Sequence, residues 1–240
     1  MARPLRVDPA GHRTGLMRES FWGQVGSLIW ADVRREGRSR AVVGLMVSFA
    51  LITGLALNFT FNLALETGPV AAVGAFWTAL LFATILGLGR AFALEAENGV
   101  WEGLTLTPLD PGGLFLAKLG SNLLFLAILD SVTVPAFAVW YNLPLFGGAV
   151  LLPVGLGTLA LGAAGTLFVP LAGQTGAREI LLPVILLPLL VPVLIGAVQA
   201  TLTAILPPTA AGPPWTGLLA ACSALFLGSG YLLYGYLLGD

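Results

Sequence analysis

The side chains best suited to catalysis are scarce in this sequence and lie far apart. It has one histidine, His12, and one cysteine, Cys222, while Asp130 is an acid inside a long apolar stretch. A metal site or a nucleophile–base pair needs several such groups at one place. We therefore expect no metal site and no catalytic site in this chain.

ATP hydrolysis is not expected either. The only lysine, Lys118, follows Ala117 rather than glycine, so the sequence lacks the phosphate-binding G-x-x-x-x-G-K-[ST] loop. If the protein uses the energy of ATP, a different chain must bind and hydrolyse the ATP.

The helices expected to carry Lys118, Asp130 and Cys222 are membrane spans. Apolar residues make up 57% of the chain and charged residues 10%, against about 25% charged in typical soluble domains. Because about 20 apolar residues cross a bilayer, the charge-free runs predict an all-α polytopic membrane protein with six transmembrane helices. The expected spans are residues 41–61, 70–89, 114–135 (or as far as 140), 149–172, 180–205 and 215–238.

The positions of the basic residues predict the orientation. With the N-terminus in the cytoplasm and six spans, all 11 Lys and Arg residues lie on the cytoplasmic side, as the positive-inside rule requires. Both termini are then cytoplasmic, and Lys118 lies near the inner end of the third span, where its stem can snorkel. The net charge of −1 predicts no nucleic-acid partner.

The N-terminal region divides into two parts before the six-span domain of residues 41–240. Residues 1–18 are rich in Arg, Pro and Gly, and we expect a flexible extension. Residues 19–40 show helical apolar spacing followed by many charges, which favours an amphipathic helix at the membrane interface. The alternative is a juxtamembrane basic stretch that only sets orientation.

The longest interior loop combines acids with large apolar residues on a short stretch expected to be helical. Such a cytoplasmic helix between spans 2 and 3 suits docking of a soluble partner, with apolar anchors and a charged rim. The alternative is a solvated connector. The residues concerned are Glu95, Glu97, Trp101, Glu102, Leu104 and the terminating Pro108.

Asp130 lies near the middle of the third span. A charged Asp at a helix centre costs roughly 2.5–3.5 kcal/mol, so it should face protein or water, or be protonated. Two interpretations remain open: a relay or lateral-gate residue, and a neutral hydrogen-bonded packing site. The neighbouring Ser131 and Thr133 could belong to the same polar seam.

The fifth span contains Pro183, Pro188 and Pro192, and proline kinks a helix. The bend is either a movable joint or a static kink. At the inner entry to this span, Arg178 is expected to set orientation, and it could pair with Glu179, although exposed pairs contribute little.

Two motifs resemble those of the CcmB family, the B subunit of the haem exporter of cytochrome c-type biogenesis. The first is Glu97-x-Gly99-x-x-Glu102-x-Leu104-x-Leu106-x-Pro108-Leu109, followed by Leu116-Ala117-Lys118. The second begins at Arg178-Glu179 and continues through the three prolines of the fifth span. The chain length and the six spans with inside termini are also similar to this family.

The resemblance implies a permease subunit of an ATP-binding cassette complex in a bacterial inner membrane. It implies a CcmA-type ATPase, CcmC- and CcmD-type membrane subunits, the haem chaperone CcmE and a second copy of this chain as partners. Residues 95–108 would be the coupling helix that receives the ATPase movement. Haem would be handled by the complex, with no cofactor bound directly to this chain.

Rival functions stay open at this point. One is a generic ABC export permease for another lipophilic substrate. The others are an intramembrane enzyme, which the scarcity of clustered catalytic groups disfavours, and a passive scaffold or channel.

Overall fold

The computed structural model describes residues 23, 25–30, 40–61, 68–97, 110–173, 178–206 and 214–238. Six long helices dominate this part of the chain, which contains no strand. The six helices are α1 (Arg40–Phe61), α2 (Gly68–Glu97), α3 (Pro111–Trp140), α4 (Gly148–Gly173), α5 (Arg178–Ile205) and α6 (Trp215–Leu238).

Each of these helices is long and apolar enough to cross a membrane, which confirms the six predicted spans. A helix satisfies its own backbone hydrogen bonds, so it can cross hydrocarbon without exposing polar groups. The outward faces carry large apolar side chains such as Ile52, Phe59, Leu151 and Leu232, all strongly exposed. The chain is therefore a multi-pass membrane protein with a lipid-facing apolar surface.

Two helices form the centre of the bundle. In the most apolar stretch of α2 and of α4, 67% of the residues are buried, against 22% in the corresponding stretches of α1 and α6. α4 packs against α2, α3, α5 and α6, whereas α1 packs mainly against α2 and α3. Although α2 and α3 follow each other in the chain, they pack against each other over little of their length.

α2 and α3 exceed their expected spans by more residues than the other helices do. α2 begins at Gly68 and ends at Glu97, and α3 begins at Pro111. Asp110 caps the start of α3, because its side chain accepts a hydrogen bond from the Gly112 amide at 3.2 Å. The sequence places the end of the second span at residue 89 because Arg90 is charged. The helix continues because charged side chains are stable once the backbone has left the hydrocarbon.

Part of the predicted interfacial helix is described. Residues 23 and 25–30 are helical, and the rest of residues 19–40 lies outside the described part except for Arg40, which begins α1. Val25 is buried, Leu28 packs on the core and Ile29 lies beside Gly120 of α3. The predicted flexible extension, residues 1–18, also lies outside the described residues.

α5 is helical throughout, with all three prolines inside it. Pro188 and Pro192 lie four residues apart on the exposed face, together with Val184, Val191 and Ile195. The side chain of Pro183 lies outside the described part. The two described prolines therefore point away from the packed interior, and their rings displace no neighbouring helix.

Candidate functional site

The predicted coupling residues lie where α2 ends and α3 begins. Glu95 and Glu97 belong to the last turn of α2 rather than to a separate short helix. The Glu97 side chain is exposed, whereas that of Glu95 is turned inward. The remaining predicted coupling residues lie outside the described residues, and they are Gly99, Trp101, Glu102, Leu104 and Pro108.

Glu95 is paired with Lys118 of α3. The Lys118 Nζ donates to Glu95 Oε1 at 2.6 Å, and the two side chains are only 7% and 19% exposed. The sequence suggests that Lys118 snorkels towards water, but the structure buries the whole residue to 5% exposure. The difference arises because the extended α2 brings a carboxylate next to the ammonium, which can then stay charged away from water.

The described N-terminal segment packs near this ion pair. Ile29 contacts α3 at Gly120, where an added Cβ atom would lie 2.6 Å from Ile29 Cδ1. The missing side chain at Gly120 therefore lets the N-terminal segment lie directly on α3, two residues from Lys118.

At the start of α5, Arg178 and Glu179 form part of the first turn, but their side chains lie outside the described part of the chain. The expected roles in orientation and pairing therefore stay predictions.

Asp130 contacts α4, not its own neighbours in sequence. Thr158 of α4 donates to Asp130 Oδ2 at 2.7 Å, and Asp130 Oδ1 is buried with no hydrogen-bond partner among the described residues. Ser131 and Thr133 do not join this seam, contrary to the interpretation of the sequence. Ser131 is exposed and donates to the Ile128 carbonyl, while Thr133 is buried and donates to the Leu129 carbonyl.

A second polar contact continues the seam between α3 and α4. Asn122 Nδ2 donates to Thr166 Oγ1 at 2.8 Å, and Thr166 in turn donates to the Gly162 carbonyl at 2.7 Å. Asn122 precedes Asp130 by eight residues and Thr166 follows Thr158 by eight, as two antiparallel helices in register require. That matched spacing was the signal in the sequence that identifies these partners.

Trp77 connects α2 to two other helices, a role that nothing in the sequence indicates. Its indole N–H donates to Thr201 Oγ1 of α5 at 3.0 Å, and its ring lies against Gly157 of α4. The side chain is 1% exposed, so it joins three helices at the centre of the bundle.

The other end of α3 is tied to α1. The Tyr141 hydroxyl donates to the Gly54 carbonyl at 2.7 Å, its ring stacks on Phe137, and Asn58 Nδ2 donates to the Trp140 carbonyl at 3.0 Å. Burial raises the pKa of Tyr141 to about 12, so the phenol remains a donor. Tyr141 is therefore a packing residue between helices, not a side chain anchored among lipid headgroups.

Ligands for a metal ion do not converge in the described part of the chain. No group of three or more His, Cys, Asp or Glu residues is close enough there to hold a metal ion. Cys222 is a half-buried free thiol in α6, and His12 lies outside the described residues. What the arrangement provides is a set of buried polar contacts between helices.

Comparison with known proteins identifies the family. The profile of the family described as CcmB protein matches residues 24–230. Heme exporter protein B of Rhodobacter capsulatus is 31% identical over 170 residues, covering 70% of this chain and 78% of that protein. Those of Paracoccus denitrificans and Bradyrhizobium diazoefficiens are 28% and 29% identical, covering 72% and 82% of this chain and 80% and 89% of those proteins. A profile match over most of the chain, with six membrane helices, shows that the protein belongs to the CcmB family.

Proposed function

We propose that this chain is the permease subunit of a haem exporter complex in cytochrome c maturation. In this proposal a separate CcmA-type ATPase hydrolyses ATP, and the chain converts that energy into haem export or into release of haem-loaded CcmE. The names of the relatives and the six-span architecture support the transport role. The chain handles no ATP itself because it lacks a phosphate-binding loop.

The observation that carries the proposal is the position of the end of α2 and the start of α3, which residues 98–109 connect. Residues 98–109 connect two spans, so a partner that displaces this segment acts on both helices at once. The exposed Glu97 lies at its start and the exposed Asp110 at its end, which gives the segment an acidic rim. Together with Trp101 and Leu104, this is the composition expected of a docking surface with apolar anchors.

The packing of α2 and α3 supports a coupling role. α2 packs on α1, α4 and α5, and α3 packs on α1, α4 and α6, so the two helices together contact every other span. Interfaces packed in this way shift between discrete arrangements rather than deforming continuously. A displacement at the connecting segment would therefore reach the whole bundle.

The remaining assignments follow the same proposal. The α2–α3 end and both termini face the cytoplasm of a bacterium, with the chain in the inner membrane, because this orientation gathers every Lys and Arg on one side. The chain works as a homodimer with CcmC- and CcmD-type subunits. Haem is handled by the complex and not bound by this chain.

A pull-down of the CcmA-type ATPase tests the coupling segment. Charge reversal at Glu97 and Glu102 should reduce capture of the ATPase by at least about tenfold, since reversed charges repel a complementary surface. The control is Asp240→Lys, a single charge reversal on the same expected side of the membrane but outside the segment. Unchanged capture by the doubly reversed chain would refute the docking segment.

A further inference from the structure

The ion pair between Glu95 and Lys118 joins two helices that otherwise share few contacts. Glu95 lies two residues before the end of α2, and Lys118 lies about two turns into α3. Their charged atoms are 2.6 Å apart and both side chains are largely withdrawn from solvent. Since α2 and α3 pack against each other over little of their length, this contact fixes how their ends are placed.

Stability alone is a weak reason for such a pair. Withdrawing two charges from water is costly, and apolar side chains of similar volume often do as well or better. A buried pair does, however, specify one geometry, because breaking it leaves an unpaired charge out of water. The pair therefore suits a role in fixing the relative position of α2 and α3.

The two acids at the end of α2 face different ways. Successive helical residues are rotated by about 100°, so Glu95 and Glu97 lie on nearly opposite faces of the helix. Glu97 is exposed and available to a partner, whereas Glu95 faces α3 and touches Lys118. Of these two acids, only Glu97 is placed to meet a soluble protein directly.

We infer that Glu95 and Lys118 are positioning residues for energy coupling. Their ion pair holds the end of α2 and the start of α3 in one relative orientation, so that movement of the ATPase displaces the two helices as a unit. Without the pair, the ATPase still docks, but its movement is lost because the end of α2 and the start of α3 can move relative to each other. This inference rests on the proposed coupling of the segment to a CcmA-type ATPase.

The test separates docking from transmission in the complete complex. A fluorophore is attached to a cysteine introduced at Phe146, an exposed residue between α3 and α4 at the opposite end of α3, in a chain whose Cys222 is serine. Capture of the ATPase measures docking. The ATP-driven fluorescence change measures transmission across the membrane.

The decisive variant is the neutral double substitution Glu95→Gln/Lys118→Met, which removes both charges of the pair together. It should accumulate and capture the ATPase normally, while the ATP-driven signal falls by about tenfold. The exchanged pair, Glu95→Lys/Lys118→Glu, should restore most of the signal. Arg90→Gln, which removes an exposed charge from the same helix, should leave the signal unchanged.

Each other result has a definite meaning. A full signal from the neutral double variant would overturn the inference, and so would failure of that variant to accumulate, because the pair would then serve folding. Failure of the exchanged pair to restore the signal would also overturn it. If the unmodified chain captured no ATPase, the proposed function itself would fail, independently of the ion pair.

Discussion

A methyl group added at Gly157 should damage the centre of the bundle. Gly157 is buried on α4, and a Cβ atom there would overlap the Trp77 ring. The ring cannot easily move aside, because its N–H is bonded to Thr201 at 3.0 Å and its edge meets Phe76 at a ring-centroid distance of 5.4 Å. Gly157→Ala should therefore force α4 away from α2 and push the indole off Thr201.

The loss of stability caused by Gly157→Ala can be worked out from these contacts. Overpacking a tight core costs about 1–3 kcal/mol, and leaving the buried indole N–H unsatisfied costs about 1–3 kcal/mol more. Replacing glycine by alanine inside a helix returns about 1 kcal/mol. The net loss of stability for Gly157→Ala should therefore be about 1–5 kcal/mol.

The same helix offers a matched control. Gly155 lies two residues earlier, is exposed, and has no atom within 4 Å of an added Cβ. Thermal unfolding in detergent, followed by tryptophan fluorescence, should show Gly157→Ala losing several degrees while Gly155→Ala is unchanged or slightly more stable. Trp77→Phe should recover part of the loss in the Gly157→Ala background, because the smaller ring makes room. Equal melting temperatures for the two alanine variants would refute the packing argument.

Two further substitutions test polar contacts of α3. Asp130→Asn should fold normally and weaken transport activity modestly, because the amide oxygen can still accept from Thr158 while the carboxylate is lost; full activity at every pH would remove Asp130 from the mechanism. Tyr141→Phe should cost about 1 kcal/mol in thermal unfolding by deleting the bond to Gly54 while keeping the stacking on Phe137. Because burial raises the pKa of Tyr141 to about 12, the stability from this phenol should be complete below pH about 10, where the unfolded phenol ionises, and lost as pH rises towards 12. A difference between parent and Tyr141→Phe that stays constant across that range would contradict burial of the hydroxyl.

The number and approximate limits of the spans were predictable because bilayer thickness imposes them. Residues 41–61 form α1 almost as expected, since Arg40 and the polar residues after Phe61 mark where hydrocarbon ends. The end of α2 was not predictable from the same reasoning. A helix has no need to stop where the hydrocarbon stops, and α2 continues eight residues beyond residue 89 to Glu97.

The candidate site was predictable only in part, because its contacts depend on helix register. The sequence identifies Asp130 as a buried acid that needs a partner, but it places the nearest polar groups at Ser131 and Thr133. Those hydroxyls bond to carbonyls of their own helix, and the partner comes from Thr158 of another helix. Likewise, the sequence places Lys118 near water, and only the packing shows that Glu95 replaces water as its partner.

The polar contacts of the described spans are concentrated on α3, and this gives the helix a particular mechanical position. From its start to its end it is tied to α2 by Lys118, to α4 by Asn122 and Asp130, and to α1 by the hydroxyl of Tyr141. A purely apolar interface within a membrane can slide at little cost, because lipid is as apolar as the neighbouring helix. Each polar contact resists sliding, because a broken one leaves a polar group without a partner in hydrocarbon. A displacement entering α3 from the 98–109 segment would therefore be shared among α1, α2 and α4 rather than lost along one helix, which is the behaviour that a coupling subunit requires.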